Sequence, residues 1–145
     1  LRRQRQMCIR DRYKSELTTN AFSSIKVVPF IDDISEAYKW ADFVVCRSGA
    51  LTISELAHVG ICSILIPFPH ATDDHQFENA KILERIGAAE IVLHNQFTPE
   101  FMAEKISFYA SNIEARNSMS VKGKLIAEIN STERVSDECL GVAHG

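Results

Sequence analysis

Residues 42–55 read DFVVCRSGALTISE, and that order of residue types limits the fold more than any other stretch. Phe43, Val44, Val45 and Cys46 form an unbroken apolar run. Such a run suits a strand covered on both faces better than a half-exposed strand with alternating polarity. Arg47, Ser48 and Gly49 end it, and from Ala50 onward Leu51, Ile53, Leu56 and Ala57 recur at helical spacing. A strand that passes through a glycine turn into a helix is the building unit of parallel α/β sheets. The turn has a second use. The first amides of the helix, from Gly49 to Thr52, have no intrahelical acceptor and carry about half a positive charge, which attracts phosphate. A glycine here serves either the geometry of the turn or the close approach of a ligand, and spacing does not separate the two.

The rest of the chain repeats the pattern. Residues 25–30 (IKVVPF) form a β-branched run closed by proline, read as a first strand. Residues 32–41 follow as a short helix, opened by Asp32 and Asp33 and presenting Ile34, Ala37, Tyr38 and Ala41 on one face. The helix after Gly49 runs to Val59 and stops at Gly60; residues 61–67 form a third strand and 68–74 a loop. A helix over 74–86 leads to a fourth strand at 88–93. Thr98 then caps a helix with Pro99 in its first position, reaching Ala110, and further helices are expected over 113–126 and 132–142. Four strands alternating with helices predict an α/β fold, a Rossmann-like doubly wound parallel sheet in one domain over 13–145. Ligands of such folds lie beyond the carboxyl ends of the strands, where residues 31–33, 47–49 and 67–75 fall.

Residues 1–12 fit no element. They hold five arginines in twelve residues, and MCIRDR at 7–12 is what results from translating a transposon end used in preparing sequencing libraries. They are read as a non-native or disordered segment, and resequencing the locus from intact genomic DNA tests this. Over the whole chain 46% apolar residues, 24% charged residues and a net charge of −3 describe a soluble globular protein, with no basic nucleic-acid-binding patch beyond the first dozen residues. No apolar run reaches the roughly 20 residues of a membrane span, so a cytosolic or at most membrane-peripheral protein is expected. Four cysteines, Cys8, Cys46, Cys62 and Cys139, lack metal-site spacing and read as reduced thiols.

Candidate functional residues cluster in two places. Ser48 and Thr52 add hydroxyls to the helix start, and Glu55 lies one turn further on, either as an acceptor for ribose hydroxyls or as a solvated acid near the helix dipole. The segment HATDDHQ at 70–76 holds metal-ligand residue types but no regular geometry. It reads as no metal site but as a polar loop and helix start whose His75, Gln76 and Asn79 face a ligand, since positions three apart share a helix side. His58, His94 and His144 are read as surface residues, and no Ser-His-Asp set or acid–base carboxylate pair emerges.

Taken together, FIDD at 30–33, CRSGALTISE at 46–55, PFPH at 67–70 and DHQFENA at 74–80 closely resemble the C-terminal half of the MurG family, bacterial N-acetylglucosaminyltransferases of peptidoglycan synthesis. The resemblance runs from about residue 25 to 143, in order and with similar gaps. It implies the C-terminal half of a two-domain glycosyltransferase of the B type. That half holds UDP-N-acetylglucosamine, while the other half carries the lipid-linked muramoyl-pentapeptide acceptor, the general base and the membrane contact on the cytoplasmic face of the inner membrane. By the resemblance, the main chain of Ile31 pairs with uracil, Arg47, Ser48 and Gly49 open the diphosphate turn, and Ala50, Leu51 and Thr52 are the diphosphate-binding helix start. Glu55 is implied to bind ribose, and Gln76 and Asn79, with His75 beside them, the donor sugar. No cofactor or metal is implied, and no catalytic residue in this half. Other readings are a subunit of a split transferase, a non-catalytic UDP-sugar-binding module and a UDP-sugar epimerase, the last lacking the clustered acids its chemistry needs.

Overall fold

A computed structural model describes residues 28–69 and 74–142, with side chains described through residue 127. The chain forms two compact units, Leu1–Ala37 and Tyr38–Gly145. Within the first unit Asp33 starts helix α1 (Ile34–Trp40): its Oδ1 accepts from the Glu36 amide at 3.0 Å, the capping expected of an aspartate there. Val28 to Phe30 carry no strand in this structure, and the remainder of the expected first strand lies outside the described residues.

The second unit holds a parallel sheet ordered β1 (Val44–Cys46), β2 (Ser63–Leu65), β3 (Ala89–Ile91). Val45 is opposite Ile64, which is opposite Glu90. Helix α2 (Ala50–Val59) connects β1 to β2, and α3 (His75–Arg85) precedes β3. A 3₁₀ turn at His94–Gln96, α4 (Pro99–Ser111) and α5 (Ile113–Val142) complete the described chain. Thr98 Oγ1 accepts from the Phe101 amide, and Pro99 occupies the first helical position, as its sequence predicts.

Alternate residues of β2 enter opposite cores. Leu65 joins Ile53, Leu56, Ala80 and Leu83 from α2 and α3 on one face, whereas Ile64 joins Val92, Met102 and Tyr109 on the other. Helices thus cover both faces of a parallel sheet, and the run 61–66, apolar except for Ser63, is buried throughout. The sheet belongs to the Rossmann-like class expected. Two details differ. Val45 is 39% exposed, because among the described residues β1 pairs only with β2 and has one open edge. The two helices expected at 113–126 and 132–142 are one helix, α5. Asn130 and Ser131 are weak helix formers, not breakers, and neither glycine nor proline stands between the two expected segments.

Gly60 ends α2 in the left-handed region, φ 66 and ψ 56, with its N–H donating to Leu56 O at 2.9 Å. A Cβ there would overlap the Lys124 side chain and lie 2.9 Å from Ser120 O. Ser120 of α5 also donates to the Gly60 carbonyl, so the cap and the α2–α5 packing share one point. Gly60→Ala is expected to lower unfolding stability by about 1–2 kcal/mol. Urea denaturation checks this, and an unchanged midpoint would contradict the packing described.

Candidate functional site

Because β1 and β2 are parallel, the segments that follow them emerge at the same edge of the sheet. After β1 come Arg47, Ser48 and Gly49, and after β2 come Ile66, Pro67 and Phe68. Five hydrogen bonds tie these two turns to each other and to the start of α3. Arg47 Nη1 donates to Ile66 O at 3.0 Å and Pro67 O at 3.2 Å, and its guanidinium stands 5.3 Å over the Phe68 ring. Ser48 Oγ donates to Gln76 O at 2.7 Å, and the Phe68 amide donates to Gln76 Oε1 at 3.0 Å. Asn79 Nδ2 adds a longer bond to Ser48 O at 3.3 Å.

Arg47, Ser48, Gln76 and Asn79, four residues singled out by their sequence, are therefore brought together. Each has a mechanical task in addition to any ligand. Arg47 pins the end of β1 to the end of β2. Ser48 is 0% exposed, and its hydroxyl is committed to α3, which leaves its main chain as its route to a ligand. Gln76 spends its side-chain oxygen on the Phe68 amide and retains the donor end of its amide. His75 is exposed at the first position of α3.

Gly49 is the N-cap of α2, with φ −64 and ψ 151, a conformation open to any L-residue. Turn geometry therefore does not require glycine here. A Cβ at Gly49 would meet only Thr52 Oγ1, at 3.7 Å, an ordinary contact. No side chain caps this helix and no acid stands in its first turn. The first helical bond runs from the Ile53 amide to Gly49 O at 3.0 Å, so the amides of Ala50, Leu51 and Thr52 precede it. Ala50 is exposed, Leu51 is 80% exposed and Thr52 is half-buried, so this helix start opens outward, and among the described residues no side chain caps its positive end.

Glu55 is exposed one turn along α2, on the side of Leu51 and Thr52. Its Oε2 accepts from the Tyr38 hydroxyl at 3.1 Å. Burial, and then the bond to Glu55, push the Tyr38 phenol up to about 12. Burial likewise raises the neighbouring Cys46 thiol to about 11, so it remains a neutral thiol near neutral pH. Ile31 belongs to the first unit, 46% exposed and in a segment without helix or strand.

Two features escaped sequence reasoning. Tyr38 was legible only as part of an apolar helix face, although a buried tyrosine usually finds a partner for its hydroxyl. Phe68 falls in the segment its sequence marks as a loop, yet it underlies Arg47 and borders a groove of about 460 Å³ that Phe77, Leu93, Asp74, His94 and Asn95 also line. Among the described residues no group of three or more His, Cys, Asp or Glu could hold a metal ion, and no helix is long and apolar enough to cross a membrane. His70 and Asp73 lie outside the described residues.

A family model for the glycosyltransferase family 28 C-terminal domain matches residues 4–134. A UDP-N-acetylglucosamine--N-acetylmuramyl-(pentapeptide) pyrophosphoryl-undecaprenol N-acetylglucosamine transferase of Shewanella frigidimarina is 47% identical over 120 residues, 83% of this chain and 33% of that protein. An identically named protein of Marinobacter nauticus is 46% identical over 119 residues, 82% of this chain and 33% of its own length. The crystal structure of Acinetobacter baumannii MurG superposes with a TM-score of 0.69 at 41% identity, covering 79% of this chain and 34% of that one. The chain thus spans about a third of the length of the relatives it matches.

Proposed function

Because the chain belongs to the family of glycosyltransferase family 28 C-terminal domains, we propose that it binds UDP-N-acetylglucosamine and is the donor-holding part of an inverting N-acetylglucosaminyltransferase acting on a lipid-linked muramoyl-pentapeptide. One observation carries this reading: Gly49 is a glycine that its backbone does not need, at the bare positive end of α2. A diphosphate at that end accepts from the amides of Ala50, Leu51 and Thr52. Glu55, on the same side of the helix, accepts from ribose hydroxyls. Gln76 and Asn79, fixed to the turn through Ser48, face the sugar with His75 beside them.

Transfer requires an acceptor hydroxyl to attack the anomeric carbon while UDP departs, inverting the configuration there. Charge grows on the departing diphosphate, and the amides and dipole of α2 stabilise it without reorganising. The acceptor, its general base and the membrane contact belong to sequence beyond the third of the relatives that this chain spans. The chain by itself is therefore expected to bind donor and transfer nothing.

Calorimetric titration with UDP tests the reading; a folded sample that gives no heat at millimolar ligand would count against it. Glu55→Ala is expected to weaken UDP about tenfold, as loss of hydrogen bonds to a charged group does. It should weaken 2′,3′-dideoxy-UDP much less. Equal losses on both nucleotides would remove Glu55 from the ribose.

A further inference from the structure

We infer that Tyr38 is a positioning residue, whose hydroxyl fixes the Glu55 carboxylate in the orientation that receives the vicinal diol of a nucleoside. The inference rests on the nucleotide reading above and adds a second residue to its ribose contact. Tyr38 stands near the end of α1, 9% exposed, with its ring in the core cluster that also holds Ile53 and Leu56 of α2. Its hydroxyl donates to the exposed Glu55 Oε2 at 3.1 Å, from 17 residues away in sequence. Glu55 itself is exposed, so packing does not choose its rotamer.

A glutamate on a helix surface samples several rotamers, and a ligand that needs one of them must order it at an entropic cost. A tyrosine has few torsions, and this one is held by its buried ring, so its hydroxyl is a fixed point. Its bond engages one carboxylate oxygen and leaves Oε1, which accepts from none of the described residues. A diol needs such an acceptor, aimed and open. The Tyr38 phenol, raised to about 12, stays protonated and keeps donating throughout the physiological range. Cys46 beside the pair stays neutral.

Tyr38→Phe keeps the buried ring and removes only the donor. In calorimetric titrations of the chain, it should weaken UDP about three- to tenfold and leave 2′,3′-dideoxy-UDP unchanged. In a Glu55→Gln background the same substitution should add nothing, since its effect passes through the carboxylate. Equal weakening of both nucleotides, or additive losses in the double variant, would overturn the assignment and leave Tyr38 as packing alone. If Glu55→Gln abolishes the preference for UDP while Tyr38→Phe retains it, the ribose site stands and Tyr38 has no part in it. A parent chain that binds neither nucleotide overturns both readings, and thermal unfolding of each variant confirms that binding is compared between folded samples.

Discussion

Gly49→Ala is expected to leave the fold intact and to reduce UDP affinity about 100-fold, the equivalent of losing two charge-assisted hydrogen bonds. The first half of this expectation follows from the backbone. With φ −64 and ψ 151, alanine adopts the same conformation without strain, and its Cβ meets only Thr52 Oγ1 at 3.7 Å. Alanine is a poorer N-cap than glycine, but it also restricts the unfolded chain, and the two effects offset each other to within about 1 kcal/mol. The second half follows from what stands in front of the turn. Amides of Ala50, Leu51 and Thr52 point outward from a helix with no cap and no acid in its first turn. A methyl group at Gly49 holds phosphate oxygens away from those donors, and charge-assisted bonds weaken steeply as they lengthen. Paired urea denaturation and UDP titration read both halves. A variant that binds UDP as tightly as the parent would place the phosphates elsewhere; a variant that unfolds early would return the glycine to a geometric role.

Much of the fold was legible because periodicity and punctuation agree. The run before Arg47, the helical spacing after Gly49 and the stop at Gly60 are each local signals, and β1, α2 and the left-handed cap appear where those signals place them. The single helix α5 was not legible, since asparagine and serine weaken a helix without ending it, and neighbouring packing decides. Exposure of Val45 was hidden for a different reason: an apolar run records which residues tolerate burial, not how many neighbours a strand has.

Within the candidate site, residue types were legible and their tasks were not. Arg47 is placed by the resemblance at the opening of the diphosphate turn, yet its Nη1 donates to the carbonyls of Ile66 and Pro67. Tyr38 and Glu55 are partners across two helices, a pairing that no spacing within either helix encodes. Gly49 shows the opposite case: its sequence leaves geometry and ligand access equally open, and its dihedral angles remove the geometric requirement. Long-range contacts decide which polar groups are already spent, and those contacts exist only once the sheet has brought the turns to one edge.

Ser48 concentrates that distinction, and Ser48→Val is the substitution expected to harm the fold most among those proposed, by about 2–4 kcal/mol of unfolding free energy. Its side chain has no exposure, so the added methyl groups have no room to turn outward. The hydroxyl is lost as well, and with it the bond to Gln76 O at 2.7 Å that holds α3 against the turn. Ser48→Ala separates the two contributions: it removes the bond without overpacking and should cost about 1 kcal/mol. Chemical denaturation measures the difference between the two variants. Their binding behaviour should diverge from that of Gly49→Ala. Where glycine replacement removes affinity for the diphosphate, Ser48→Ala frees the start of α3 and so loosens Gln76 and Asn79. UDP should then bind nearly as before, while the extra affinity contributed by the N-acetylglucosamine moiety of the donor is lost. If UDP and UDP-N-acetylglucosamine weaken together in Ser48→Ala, α3 carries no sugar contact that depends on this bond, and the division between a diphosphate turn and a sugar-facing helix fails.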